Sequence, residues 1–137
     1  MEKTIPMEYL SRYAPIFLSV LRIVAAVIFF EHGTVKLFGW PVAGSSAAPA
    51  MFTMYWFAAW IEIIGGILLF LGLCTRPVAF IMSGEMAFAY FLSHHPRNFF
   101  PIGNGGDAAI LYCFIFLYLF FAGGGSISLD AMWKKRQ

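Results

Sequence analysis

The sequence predicts an all-α membrane protein. Its expected form is a bundle of four transmembrane helices with both termini in the cytoplasm and a short interfacial helix at the C-terminus. Three observations carry that expectation. The chain is 61% hydrophobic and only 12% charged, half the roughly 25% charged content of a soluble domain. Four long apolar stretches are separated by breaks rich in Pro, Gly and Ser. The basic residues gather towards the chain ends, as membrane topology requires. Aromatic residues reach 19%, with 16 Phe, which suits lipid-facing surface. A length of 137 residues allows one membrane domain without a separate soluble module, and a net charge of +2 is too small to suggest nucleic acid.

The spans fall at about 16–38, 52–73, 78–95 and 107–122, against the roughly 17–25 residues that a crossing helix needs. The first is too long for a signal-peptide core and is interrupted by Arg22, so it reads as a retained helix. Pro41, the small-residue run 43–48 and Pro49 separate it from the second. Thr75-Arg76-Pro77 makes a tight turn into the third span. Pro96, Pro101 and Gly103 to Gly106 form the next loop, and Gly123 to Gly125 end the fourth span. In the tail from Ser126 to Gln137, Ser128 is placed to cap a helix, with Asp130 in its first turn and Lys134 to Arg136 near its end. Trp133 would lie at headgroup level. Lys3, Arg12, Arg76, Lys134, Lys135 and Arg136 fall on the side of the termini, against Arg97 and Lys36 on the other, which points the termini into the cytoplasm.

Each apolar stretch carries ionisable residues, which are costly at bilayer depth and usually face a bundle interior. On the first helix, Arg22 and Lys36 lie within about 40° of one another, with Ala25, Ala26, Phe29, His32 and Gly33 near the same stripe. Glu31 points about 180° away from Arg22. Lys36 either turns into the bundle or snorkels to the headgroups. On the second helix, Ala58, Glu62, Gly65, Gly66, Leu69, Gly72 and Arg76 recur at helical spacing and form a close-packing face. Arg22 and His32 are the expected partners of Glu62. An Arg22–Glu85 bridge to the third helix is a competing arrangement, which would leave one of the two carboxylates to share a proton. The third loop gathers His94, His95, Arg97, Asn98, Asn104 and Asp107 near the level of His32 and Lys36, and this cluster is the best candidate for a ligand pocket. The spacing matches no metal framework, so no metal is expected. Cys74 and Cys113 should lie about 20 Å apart along the membrane normal, too far for a disulfide.

Several segments resemble one known family. His32-Gly33-x-x-Lys36-Leu37-Phe38-Gly39 is similar to the first-helix signature of the DoxX family. The run from Glu62 to Arg76 is similar to its second helix. Asn104-Gly105-Gly106-Asp107 resembles its entry to the fourth helix, where Glu is usual in place of Asp107, and Gly124 to Asp130 resembles its close. The resemblance spans about Leu21 to Asp130. It implies a four-span, multi-pass protein of a bacterial-type inner membrane with a link to redox chemistry. Some relatives are subunits of a thiosulfate:quinone oxidoreductase and others are tied to oxidative or thiol stress.

The leading functional expectation is therefore a component of a membrane-associated redox system. A quinone or another small molecule would sit inside the bundle, bound by Arg22, His32, Lys36, Glu62, Glu85, His94 and Asp107. The chain carries no flavin or nicotinamide motif, so no intrinsic cofactor is expected, and electrons would come from a redox-protein partner. Two other readings stay open. One is a non-enzymatic anchor or assembly subunit for a partner oxidoreductase. The other is a solute or proton pathway, which in so small a bundle would need a homo-oligomer.

Overall fold

The computed structural model describes residues 7–44 and 47–135. Lys3 and Arg136, which contribute to the expected orientation, and two residues of the small-residue run lie outside them. Among the described residues every regular element is helical. They are α1 (Met7–Ser11), α2 (Ala14–Phe38), α3 (Met54–Leu71), α4 (Thr75–Ala89), α5 (Pro101–Asn104), α6 (Asp107–Ala122) and α7 (Leu129–Lys134), with a π-turn at Tyr90–His94 prolonging α4. α2 and α3 are long and apolar enough to cross a bilayer, and α6 is a shorter apolar helix.

Local chemistry sets the boundaries. Pro15 opens α2, where a missing N–H costs nothing, and Gly39 closes it at φ 62°. Thr53 caps α3 by accepting from the Trp56 N–H at 3.4 Å. At the other end Gly72 takes φ 67°. The Gly72 and Leu73 N–H groups bond back to Leu69 and Leu68 at 3.0 Å each, a Schellman closure. α4 begins at Thr75 rather than at the expected residue 78, because a first-turn proline such as Pro77 starts a helix rather than barring it. Its N-terminus is capped from far along the chain. The Asp130 carboxylate accepts the Cys74 and Thr75 N–H groups at 2.8 Å each. Ser128 caps α7 as expected, taking the Ala131 N–H at 3.1 Å.

α2 packs antiparallel on α3, and α4 on α6. At Gly33 a Cβ would come within 2.7 Å of the Ala59 carbonyl oxygen, so hydrogen there is what lets the two backbones approach. Gly66 meets Ala26 and Phe30 on α2, whereas Gly65 meets Met82 on α4. The two helix pairs are joined by an aromatic contact between Phe29 and Phe116, edge-on at 4.9 Å. Ser83 on α4 donates to the Cys113 carbonyl on α6 at 2.8 Å. Phe17, Phe70, Phe88, Phe114 and Phe121 lie exposed on α2, α3, α4 and α6, as a lipid-facing surface would have it.

Candidate functional site

Charge is held in two places, about 21 Å apart along α2. The first lies at the end of the molecule where Gly72, Cys74 and α7 meet. Arg22 is only 1% exposed. Its guanidinium donates to the carbonyls of Leu69 at 2.7 Å and Phe70 at 3.3 Å on one arm, and to Ile127 at 2.5 Å on the other. Two of these are carbonyls of the last turn of α3; that of Leu69 also accepts the Gly72 N–H, and that of Phe70 is one of the groups a helix end leaves over. A cation there also opposes the helix dipole. Beside it the Ser19 hydroxyl accepts the Ile127 N–H at 3.0 Å. Desolvation pushes the Asp130 carboxyl up, but the amides of Thr75 and Cys74 and the charge of Arg22 outweigh it and hold the group below its ordinary value. Arg22 thus ties α2, α3 and the C-terminal segment together through backbone.

The second lies towards the opposite end, in a cavity of about 640 Å³ between α3 and α4. Glu62 is buried at 1% exposure, and its Oε1 meets the Lys36 Nζ at 2.5 Å. Glu85 lines the same cavity from α4. Both its oxygens, and Oε2 of Glu62, are buried without a hydrogen-bond partner among the described residues. His94 and Arg97 stand at the rim. The His94 ring is steadied by the Asn104 carbonyl at 3.1 Å from Nδ1, and Asn104 bonds in turn to the Asn98 carbonyl at 2.9 Å. Apart from the hydroxyls of Tyr55 and Ser93, the rest of the wall is apolar, including Ile61, Ile81, Met86 and Phe88.

Of the expected ligand-binding residues, the fold brings Lys36, Glu62, Glu85 and His94 to this cavity and leaves Arg22, His32 and Asp107 off its wall. The ion-pair partner of Glu62 is Lys36 in place of the expected Arg22, and the other expected partner, His32, acts on it through charge alone. Helical side chains lean towards the N-terminus of their helix, so Arg22 reaches away from Glu62 and Lys36 reaches back to it. The Arg22–Glu85 bridge fails for the same reason, and because Glu85 lies ten residues into α4, about 15 Å from the end that Arg22 serves. His32 lies about 80° round α2 from Arg22. It is exposed, with Nδ1 at 2.9 Å from the Ile28 carbonyl and its ring beside Phe29 and Tyr112. Asp107 is exposed in the first turn of α6. Arg76, expected on the packing face of α3, instead starts α4 and is exposed. Cys74 is exposed and Cys113 half-buried, and both are free thiols. Two polar cavity residues were not singled out by the sequence pattern. Tyr55 stands seven residues before Glu62, two turns up the same face, and that spacing was the available signal. Ser93 had none; its hydroxyl lies 3.2 Å from that of Tyr55.

Regular structure that is helical throughout the described residues, two apolar helices of bilayer length and charge buried beside them point to a membrane protein. The chain belongs to the DoxX family, whose model matches residues 17–95. It is 46% identical over 134 residues to a Haemophilus influenzae protein described as "Uncharacterized protein", a match covering 95% of this chain and 100% of the relative. It is 41% identical over 68 residues to a Bacillus subtilis protein named "Putative oxidoreductase CatD". That match covers 47% of this chain and 49% of the relative. No solved structure matches.

Proposed function

We propose that this chain is a single four-span membrane domain of a bacterial-type inner membrane, with both termini in the cytoplasm. It binds a quinone or a similar small lipophile in the cavity between α3 and α4, as a component of a membrane redox system. α4 with its π-turn and α6 complete the four spans begun by α2 and α3. The observation that carries the reading is the cavity itself. Its volume of about 640 Å³ falls in the range of small-molecule sites, which are mostly apolar with a few convergent polar groups. Here those groups are the Lys36–Glu62 pair and Glu85. The name of the Bacillus subtilis relative supports an oxidoreductase context. Electrons would pass to or from a separate redox protein, and the chain's own residues would hold the headgroup and exchange protons with it. Arg22 is withdrawn from the expected ligand set and assigned to the fold, because its nitrogens serve carbonyls.

The test is quinone binding to protein purified in mild detergent, after extraction and identification of any co-purified lipophile. Titration with a short-chain quinone should saturate for the wild type, weaken at least ten-fold in Glu62→Gln, and persist in His32→Ala and Asp107→Asn, which lie off the cavity. Absence of both co-purified and added quinone, with Glu62→Gln only less stable, would leave the anchor or assembly reading ahead.

A further inference from the structure

We propose that the cavity opens sideways to lipid and selects a ligand whose headgroup brings hydroxyl hydrogens, a lipophilic hydroquinone or phenol, over the matching carbonyl form. This rests on the reading of the cavity as a ligand site. No polar hydrogen among the described residues reaches the free oxygens of the two buried carboxylates, although the Lys36 ammonium, the Tyr55–Ser93 hydroxyl pair and the Arg97 guanidinium keep hydrogens elsewhere on the wall. The Lys36 ammonium gives one N–H to Glu62 Oε1. The Tyr55 and Ser93 hydroxyls face one another at 3.2 Å, and His94 Nδ1 is engaged by the Asn104 carbonyl. What is left unmatched is acceptor capacity. Oε2 of Glu62 and both oxygens of Glu85 are buried and unpartnered among the described residues. Glu62 is 1% exposed, so water does not reach it freely. Ionised, the carboxylates only accept; a proton on Glu85 leaves it an accepting oxygen and adds one O–H donor, while Oε2 of Glu62 still lacks a donor. A hydroxyl headgroup supplies the missing donors. A carbonyl headgroup adds acceptors and leaves the carboxylate oxygens bare, which is the expensive way to fill a buried polar site.

The route in follows from the wall. Gly84 lines the cavity, and a Cβ built there would meet nothing within 4 Å. Ile81 and Phe88 on α4 and Phe57 on α3 line the cavity and are also exposed. The opening therefore faces the hydrocarbon side of the helices, where a lipid-dissolved ligand resides.

The test compares a decyl-chain benzoquinol with its benzoquinone, under anaerobic conditions, by equilibrium binding to the whole chain in lipid nanodiscs. The quinol should bind about ten-fold more tightly or better, the factor that one unsatisfied buried hydrogen bond is worth. Glu85→Gln replaces an acceptor oxygen with an amide donor and should reduce that preference to within about two-fold. Gly84→Trp enters open space and should weaken both ligands with helicity and melting unchanged. If it fails to fold, Gly84→Leu serves in its place. Equal or tighter quinone binding overturns the selectivity while the cavity reading stands. Loss of binding by both forms in the wild type overturns both. Unchanged affinity in a folded Gly84→Trp overturns the lateral opening. Tighter binding of decylamine than of the quinol, lost in Glu85→Gln, would show that the site selects positive charge and not a hydroxyl.

Discussion

Lys36→Met is the sharpest perturbation that the fold offers. It removes the only side chain that hydrogen-bonds the Glu62 carboxylate among the described residues and leaves a carboxyl at 1% exposure. Breaking a fully buried ion pair by deleting one member costs about 3–5 kcal/mol. Two features lower the figure for this pair. The Lys36 side chain is 38% exposed, so part of the attraction is already screened. Glu62 can also take up a proton once its partner is gone. The expected loss is about 2–3 kcal/mol. Glu62→Met should cost less, about 1 kcal/mol, because the freed ammonium can turn back to the headgroup region. The double variant puts two apolar side chains where the pair stood and should be no worse than Lys36→Met alone, giving a coupling energy of at least about 1 kcal/mol. The assay is reversible unfolding in mixed micelles followed by far-UV circular dichroism on all four proteins. If the two single losses simply add in the double variant, to within about 0.5 kcal/mol, the two side chains are not coupled, and Lys36 is not what holds Glu62 at the cavity floor.

Other substitutions probe the rest of the scaffold by the same unfolding assay. Arg22→Met strips the donors from the carbonyls of Leu69, Phe70 and Ile127, and should cost at least about 3 kcal/mol. Arg22→Lys should recover part of it, and a variant as stable as the wild type would contradict the clasp. Gly33→Ala presses a methyl to within 2.7 Å of a backbone oxygen on α3 and should cost about 1–3 kcal/mol; no loss would mean that α2 and α3 stand further apart. Asp130 is held below its ordinary value of 3.8. Its contribution is complete above that pH and fades as pH falls through the lower folded value. Asp130→Asn should therefore be less stable than the wild type at pH 6, with the difference narrowing as the pH drops towards 3. A constant difference across that range would show that the carboxylate is not what caps α4.

How much could be read beforehand differs between scaffold and site. The long helices are written in the lengths of the apolar runs and in their punctuation. Gly39, Thr53, Gly72, Ser128 and the Gly123 break fix their ends by local chemistry that acts within a turn. The face of α2 was legible in part: Arg22, Ala25, Ala26, Phe29 and Gly33 are buried together, whereas His32, expected on the same stripe, is exposed. Partnership between helices was not. Periodicity says which face turns inward but not how two faces are set against one another along their axes. The expectation paired Arg22 with Glu62 by assigning both to one interior. The asymmetry of the α-helix, in which side chains lean towards the N-terminus, was the information needed to send Arg22 one way and to bring Lys36 to Glu62. The same holds for the cap on α4. Asp130 was expected to support α7, in whose first turn it lies, yet its carboxylate is spent on Cys74 and Thr75, a contact across 55 residues that no local pattern records.

That division bears on what the charges are for. Buried charge in an apolar bundle marks function by default, but the two sites differ in what they leave unfinished. Arg22 donates with both terminal nitrogens and gives the fold a joint, although its Nε and the Thr75 hydroxyl beside it are also without partners among the described residues. In the cavity, three carboxylate oxygens remain without partners beside an open volume. Structural economy would favour apolar side chains at such a place, since a half-satisfied polar cluster is worse for stability than none. Glu62 and Glu85 stand there at a cost to the stability of the bundle, and the proposed hydroxyl ligand is what would complete them.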